Sequence, residues 1–218
     1  MGDELLEQSL GQLACAIPGA TRIFHHYHLD FCCGGATALR EAAEAKGLDA
    51  LGIALQLLRC QQEQAPASDW REAPTGELIE HILVRYHQRH REQLPELIRL
   101  AQRVEHVHFD KASCPHGLTE FLHELREELE LHMQKEEQIL FPMLRHGSGL
   151  AHGPIGMMRY EHDQHGAALA RLGQLTNQMQ APEGACNTWQ ALYRGLAELR
   201  DDLMEHIHLE NNVLFTRH

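Results

Sequence analysis

From residue 77 onward, apolar residues recur every three or four positions in four long runs. The first carries Ile79, Leu83, Leu94, Leu97, Ala101 and Val104, and the second Leu118, Leu122, Leu125, Leu129, Leu140 and Met143. The third carries Ile155, Met158, Leu169 and Leu172, and the fourth Trp189, Leu192, Leu196, Leu199, Leu203 and Leu214. Such spacing gathers each set on one face of a helix. Period-two alternation is scarce and no Asn-Gly turn joins two apolar runs, so strands are not expected. The joining segments HVHFDKASCPHG, RHGSGLAHGP and MQAPEGACN are short. Short joints favour antiparallel neighbours, and the pattern predicts an all-α protein built on an antiparallel four-helix bundle. Pro95 and Pro142 are expected to kink their helices, and Pro154 suits a helix start. Ahead of the bundle, QEQAPASDWREAPTG (62–76) concentrates proline, glycine and small residues. The expected division is a small helical domain over 1–65 with three candidate helices, a linker over 66–76, and the bundle over 77–218.

The same four stripes are interrupted in one layer by polar residues. His87 and His90 lie on the first, His132 and Glu136 on the second, His162 and His165 on the third, His206 and Glu210 on the fourth. HMQKEEQILF at 132–141 is echoed by HIHLENNVLF at 206–215, and His162 follows His87 at nearly the same interval. The bundle thus reads as a duplicated helical hairpin. A carboxylate on a buried stripe costs several kcal/mol unless something neutralises it. His and Glu four apart stand one turn apart on one face and reach a common point. Two such pairs, with one His from each remaining helix, make four imidazoles and two carboxylates. That set suits two metal ions, with carboxylates bridging and imidazoles terminal. The absence of thiolates argues against structural zinc, and iron is preferred to manganese and zinc. Spacing does not decide which His of each HxxH ligates; the other takes a supporting or proton-relay position. A ferritin-like site would use Glu-x-x-His, and Glu120/His123 and Glu205/His208 have that spacing. They fall off the stripes and are expected on solvated faces, as is Glu137, while Leu140 and Phe141 are expected to seal one end of the polar layer.

Composition narrows the partners. A formal charge of −12 repels nucleic acid and anionic membrane, so neither is expected. The 18 histidines, against 19 Lys and Arg together, favour metal or proton chemistry. MGDELLEQSL lacks a basic segment followed by an apolar one, and no apolar run approaches the roughly 20 residues of a membrane span. A cytoplasmic protein, monomeric or homodimeric, is expected, with its six scattered cysteines as thiols. Two of them are adjacent in FHHYHLDFCCGG (24–35), where Gly-Gly lets backbone approach closely. A disulfide between neighbours is strained, so Cys32 and Cys33 are expected as exposed thiols for redox exchange, relay, transient metal binding or docking; the plainer alternative is a turn with two half-buried cysteines. His25, His26 and His28 stand close enough in sequence to lower a thiol pKa or join a labile metal site.

These motifs together resemble a known family. The bundle with paired HxxxE is similar to the hemerythrin-like (HHE cation-binding) domain. With DFCCGG at 30–35, YHQRHREQLPEL at 86–97, HMQKEEQILFPM at 132–143, EHD at 161–163 and DLMEHIHLENNVLF at 202–215, the whole chain resembles the Repair of Iron Centres family. The resemblance implies a non-haem di-iron centre, oxo- or hydroxo-bridged, in a cytoplasmic stress-response protein. It implies repair of iron–sulfur clusters damaged by oxidative or nitrosative stress, by iron donation, with the damaged cluster proteins as partners. It also admits nitric oxide reduction at the two irons, or an O2- or NO-binding carrier or sensor, so whether the protein is an enzyme stays open. The ligands it implies are His87, His132, Glu136, His162, His206 and Glu210, with both glutamates bridging. His90 and His165 then support from outside the ligand set, and the family's cysteine pair falls on Cys32 and Cys33.

Overall fold

The computed structural model describes residues 2–17, 19–63, 70–147 and 150–218. Part of the expected linker, residues 66–69, lies outside them. Among the described residues the chain is helical, and the only β pairing is an isolated bridge between Ser9 and Ala38. No described helix is long and apolar enough to cross a membrane. The chain divides into two compact units, Met1–Ile79 with Met204–His218, and Glu80–Leu203.

Among the described residues, the region ahead of the expected linker holds five short helices where three were expected: α1 (Gly2–Leu6), α2 (Leu10–Ala16), α3 (Ala20–His26), α4 (Leu39–Glu44) and α5 (Ala50–Glu63). The extra breaks have local causes. Ser9 and Gln12 form a reciprocal capping box that starts α2 afresh, and Gly19, at φ 82°, opens α3 from a left-handed conformation. Leu6, Leu10, Leu13, Phe24, Leu29, Phe31, Leu39, Ile53 and Leu57 close a common core, against which Met204 packs.

The second unit holds most of the length of the long helices, the first of which begins in the first unit. The first run is α6 (Thr75–Ile82) continued by a π-helical turn at Leu83–His87 into α7 (Gln88–Val107). The second is α8 (Leu118–Lys135), a π-helical turn at Glu136–Leu140 and α9 (Phe141–Arg145). The third is α10 (His152–Leu175) and the fourth α11 (Asn187–Leu209), whose last turns pass into the first unit. The all-α bundle preceded by a small helical domain is borne out. Pro95 lies inside an unbroken α7 and Pro142 directly follows the π-helical turn that leads into α9, while Pro154 sits in the first turn of α10, where a missing N–H costs nothing. The Glu105 carboxylate accepts from the N–H groups of Gly117 (2.7 Å) and Thr119 (2.9 Å), capping the start of α8. Asp202, on α11, accepts from Arg85 and Arg89, tying the first long run to the fourth.

Candidate metal centre

In the second unit the polar layer is fully internal. His87, Glu136 and His162 are 0% exposed and His132 is 1%. Donor atoms of His132, Glu136 and His162 lie within 4.8 Å of one another, as do those of His87 and Glu136. The Nε2 atoms of His87 and His132 each stand 3.4 Å from the same carboxylate oxygen, Glu136 Oε2. His162 Nε2 lies 3.2 Å from His132 Nε2.

The opposite edge of two rings decides their proton positions. His87 Nδ1–H donates to Glu137 Oε1 at 2.8 Å, and His132 Nδ1–H donates to Glu161 Oε2 at 2.9 Å. With the proton held on Nδ1 by a carboxylate, Nε2 of the neutral ring presents its lone pair. In that tautomer, lone pairs from two imidazoles meet the Glu136 carboxylate in a layer shielded from solvent. Acceptor facing acceptor is repulsive, and a cation among them removes the repulsion. The donor set fits one of the borderline kind, and the carboxylate–imidazole pairs are the arrangement that orients metal-binding histidines. The bond from His87 and the neighbouring Arg91 guanidinium hold the Glu137 carboxyl at about 2, well below its ordinary value. Lys135 pairs with the other oxygen of Glu161. Phe141 stacks on the His87 ring with centroids 5.7 Å apart, closing that side of the layer with carbon.

His90 and His165 are also buried, at 0% and 3%. The His165 ring meets His132 edge-on at 4.8 Å, and His90 lies beside Tyr86. Glu137 corrects an expectation: it is the hydrogen-bond partner of His87 rather than a solvated neighbour. Sequence reasoning also missed Glu161, although EHD was among the recognised motifs. An acidic residue just before His162, one helical position off the stripe, was the available signal.

In the first unit, the last turn of α11 carries His206 and a π-helical turn at Glu210–Leu214 carries Glu210. Both are 0% exposed, with His206 Nε2 3.3 Å from Glu210 Oε1. All three π turns adjoin a candidate ligand: His87 ends the first, Glu136 opens the second and Glu210 the third. Their wider hydrogen bonds run from Gln88 N–H to Leu83 O, Phe141 N–H to Glu136 O, and Phe215 N–H to Glu210 O. Such turns are rare in helices and concentrate at functional sites.

His208 is another correction. It was expected on a solvated face but is 1% exposed, because every residue from His206 to Asn211 is buried and the helix has no wet side there. Its Nδ1 lies 3.3 Å from Phe31 O, its Nε2 3.5 Å from Cys15 Sγ, and burial lowers its pKa to about 4. Of the other off-stripe residues, Glu120 is exposed while His123 and Glu205 are half-buried.

The cysteine turn departs from the exposed-thiol expectation and lies nearer the half-buried one. Cys33 is half-buried but Cys32 is only 3% exposed. Asp30 Oδ1 accepts from the N–H groups of Cys32 (3.2 Å) and Cys33 (3.0 Å) and from the Cys32 thiol (3.2 Å). The hydrogen bond to Cys33, burial and the nearby negative charge raise the Cys32 pKa, so this thiol keeps its proton. The nearby histidines do not reverse that: the His25 ring meets Phe31 edge-on and the His26 ring meets Tyr27.

Comparison with known proteins agrees with this geometry. The family model described as the hemerythrin HHE cation binding domain matches residues 78–217, and the ScdA_N domain of unknown function (DUF542) matches residues 6–61. The iron–sulfur cluster repair protein YtfE of Pectobacterium atrosepticum is 53% identical over 212 residues, covering 97% of this chain and 96% of the relative. The protein of the same name from Escherichia coli O17:K52:H18 is 54% identical over the same shares. Both the N-terminal helices with their cysteine turn and the bundle with its buried histidines thus fall inside one shared architecture, and the chain belongs to the hemerythrin-like family of iron–sulfur cluster repair proteins.

Proposed function

We propose that this chain is a di-iron protein that restores damaged iron–sulfur clusters by donating iron to them. The ligands assigned are His87, His132, His162 and His206 as terminal imidazoles, with Glu136 and Glu210 bridging the two ions beside an oxo or hydroxo group. His90 and His165 support the ligand rings, and Cys32 and Cys33 take the relay or docking role. The working division is 1–65, a linker over 66–76 and the iron-holding bundle over 77–218, acting in the cytoplasm on damaged cluster proteins.

One observation carries the reading: the His87 and His132 rings are each held at Nδ1 by a carboxylate and turn Nε2 toward buried Glu136. That arrangement holds imidazoles ready for a metal ion and has no evident use in a purely structural core. Held there, iron is a cargo that its hard carboxylate ligands grip more tightly when ferric than when ferrous. The protein's part is to keep Nε2 of each ring deprotonated and aimed. A proton arriving at Nε2 competes for the same lone pair, so acid loosens the grip. The relatives named as iron–sulfur cluster repair proteins support the choice of recipient.

The test incubates ferrous-loaded protein with an enzyme whose iron–sulfur cluster has been damaged, in the presence of a chelator that intercepts free iron. Recovery of cluster activity beyond that given by equimolar ferrous salt is expected, and a His132→Ala/Glu136→Leu variant should lose it. Recovery no better than free iron would overturn iron donation.

A further inference from the structure

The DFCC turn of the first unit gathers a second donor set, separate from the His/Glu layer. The Sγ atoms of Cys32 and Cys33 lie 3.9 Å apart, and Asp30 Oδ1 lies 3.2 Å from Cys32 Sγ. Donor atoms of all three residues fall within 4.8 Å of one another. We propose that Asp30, Cys32 and Cys33 form a binding site for one thiophilic divalent cation of the Zn2+ or Fe2+ kind, with its fourth coordination position open. The repair reading enters only in naming ferrous iron as the physiological ion.

Distances support the assignment. A tetrahedral ion with metal–sulfur bonds of about 2.3 Å places its two sulfurs about 3.8 Å apart, and a carboxylate oxygen at about 2.0 Å lies about 3.5 Å from each. The turn comes close to two of these separations, with its sulfurs 3.9 Å apart and Asp30 Oδ1 3.2 Å from Cys32 Sγ. It is held there from several sides. The N–H groups of Cys32 and Cys33 fix the Asp30 carboxylate. Asn212 Nδ2 donates to Phe31 O and Cys32 O, both at 3.3 Å, and Asn211 Nδ2 donates to Cys32 O at 3.4 Å. Gly34 and Gly35 leave the space these contacts need. A Cβ on Gly34 would stand 2.9 Å from Asp30 O and 3.2 Å from its Oδ2, and one on Gly35 would stand 2.7 Å from Asn212 Oδ1.

Access and charge agree. Asp30 is exposed and Cys33 half-buried, so an ion reaches the turn without unfolding it, and the chain's net charge of −12 attracts cations. On binding, both thiols give their protons to solvent, and the 2+ charge is met by two thiolates and one carboxylate. Two sulfur donors exclude the hard ions Mg2+ and Ca2+, which take oxygen ligands only. An open fourth position on a partly exposed turn suits a site that passes an ion on rather than stores it.

The experiment uses the iron-loaded full chain, reduced and kept from air, titrated with Zn2+ against a chromophoric chelator. Iron and zinc per chain are measured together, and thiol alkylation is mapped by mass spectrometry. One Zn2+ per chain beyond the retained iron is expected, with Cys32 and Cys33 both protected from alkylation and Mg2+ without effect. Asp30→Asn, which keeps the turn's acceptor but removes its charge, should weaken binding about tenfold or more. Cys33→Ser should abolish it. No stoichiometric zinc, zinc that enters by expelling iron, or binding unchanged in Cys33→Ser would each sink the site. Should a variant fail to fold, zinc protection of the two thiols in the unsubstituted protein decides alone. Failure of cluster repair with zinc binding intact would overturn the proposed function and leave this site standing; the converse result would remove only the site.

Discussion

At the scale of single residues, the glutamates beside the proposed ligands carry as much information as the ligands themselves. Glu137 and Glu161 are off the stripe, one helical step from residues the periodicity had singled out. Each fixes the proton of one imidazole, so each decides which nitrogen faces Glu136. Removing that anchor leaves the ligand in place but lets its ring rotate or change tautomer, which commonly costs ten- to a hundredfold in metal affinity. Glu161→Gln and Glu137→Gln are therefore expected to weaken iron binding by about ten- to a hundredfold with little change in helical content. Chelator competition with circular dichroism checks this, and affinities within twofold of the unsubstituted protein would show the anchors to be dispensable.

At the scale of elements, what was legible in the sequence followed from helical spacing. Apolar and ligand positions recurring at three and four placed the long helices, and His132, His162 and His206 are buried as that spacing requires. The π turns left no such mark, since their residues are ordinary helix formers. Their effect is nevertheless measurable: the straight stripe chose Leu83, whereas Ile82 and Tyr86 are buried and Leu83 only half so, because the wider turn at Leu83–His87 slips the buried face by one position. His208 was misread for a related reason, that a stripe argument assumes one dry face and this stretch has none. The Gly-Gly after the cysteines was read as permitting close approach, and the approaching groups are now identified as Asp30 and Asn212. Gly35→Ala tests that contact. A Cβ there would meet Asn212 Oδ1 and Phe31 O, each at 2.7 Å, and the second neighbour is backbone that yields little. Overpacking of this kind costs about 1–3 kcal/mol. A fall in melting temperature of a few degrees is expected, at roughly 2–4 °C per kcal/mol for a chain of this size. An unchanged melting curve would mean the turn yields freely.

At the scale of the whole molecule, the buried carboxylates set function against stability. The chain carries a formal net charge of −12, and two of the carboxylates counted in it, Glu136 and Glu210, lie where water does not reach. A bound cation offsets this, and as a ligand of the folded state alone it raises stability by RT ln(1 + [L]/Kd), about 2.7 kcal/mol at a hundredfold excess over Kd. Stripping the metal should therefore lower the melting temperature, and restoring ferrous iron should recover it. A sharper consequence separates a metal site from a structural ion pair. If Glu136 is instead the counter-charge of protonated His87 and His132 rings, its loss destabilises the metal-free protein, because it leaves buried positive charge uncompensated. If it is held for the metal, replacing it by an apolar side chain of similar size removes a charge that is costly to bury, and the metal-free fold gains stability. Glu136→Leu is accordingly expected to melt above the metal-free unsubstituted protein, to gain nothing from added iron, and to bind far less of it. Differential scanning calorimetry of both proteins, with and without ferrous iron, separates the cases. A Glu136→Leu protein that melts well below the metal-free parent would show the carboxylate to be part of the scaffold.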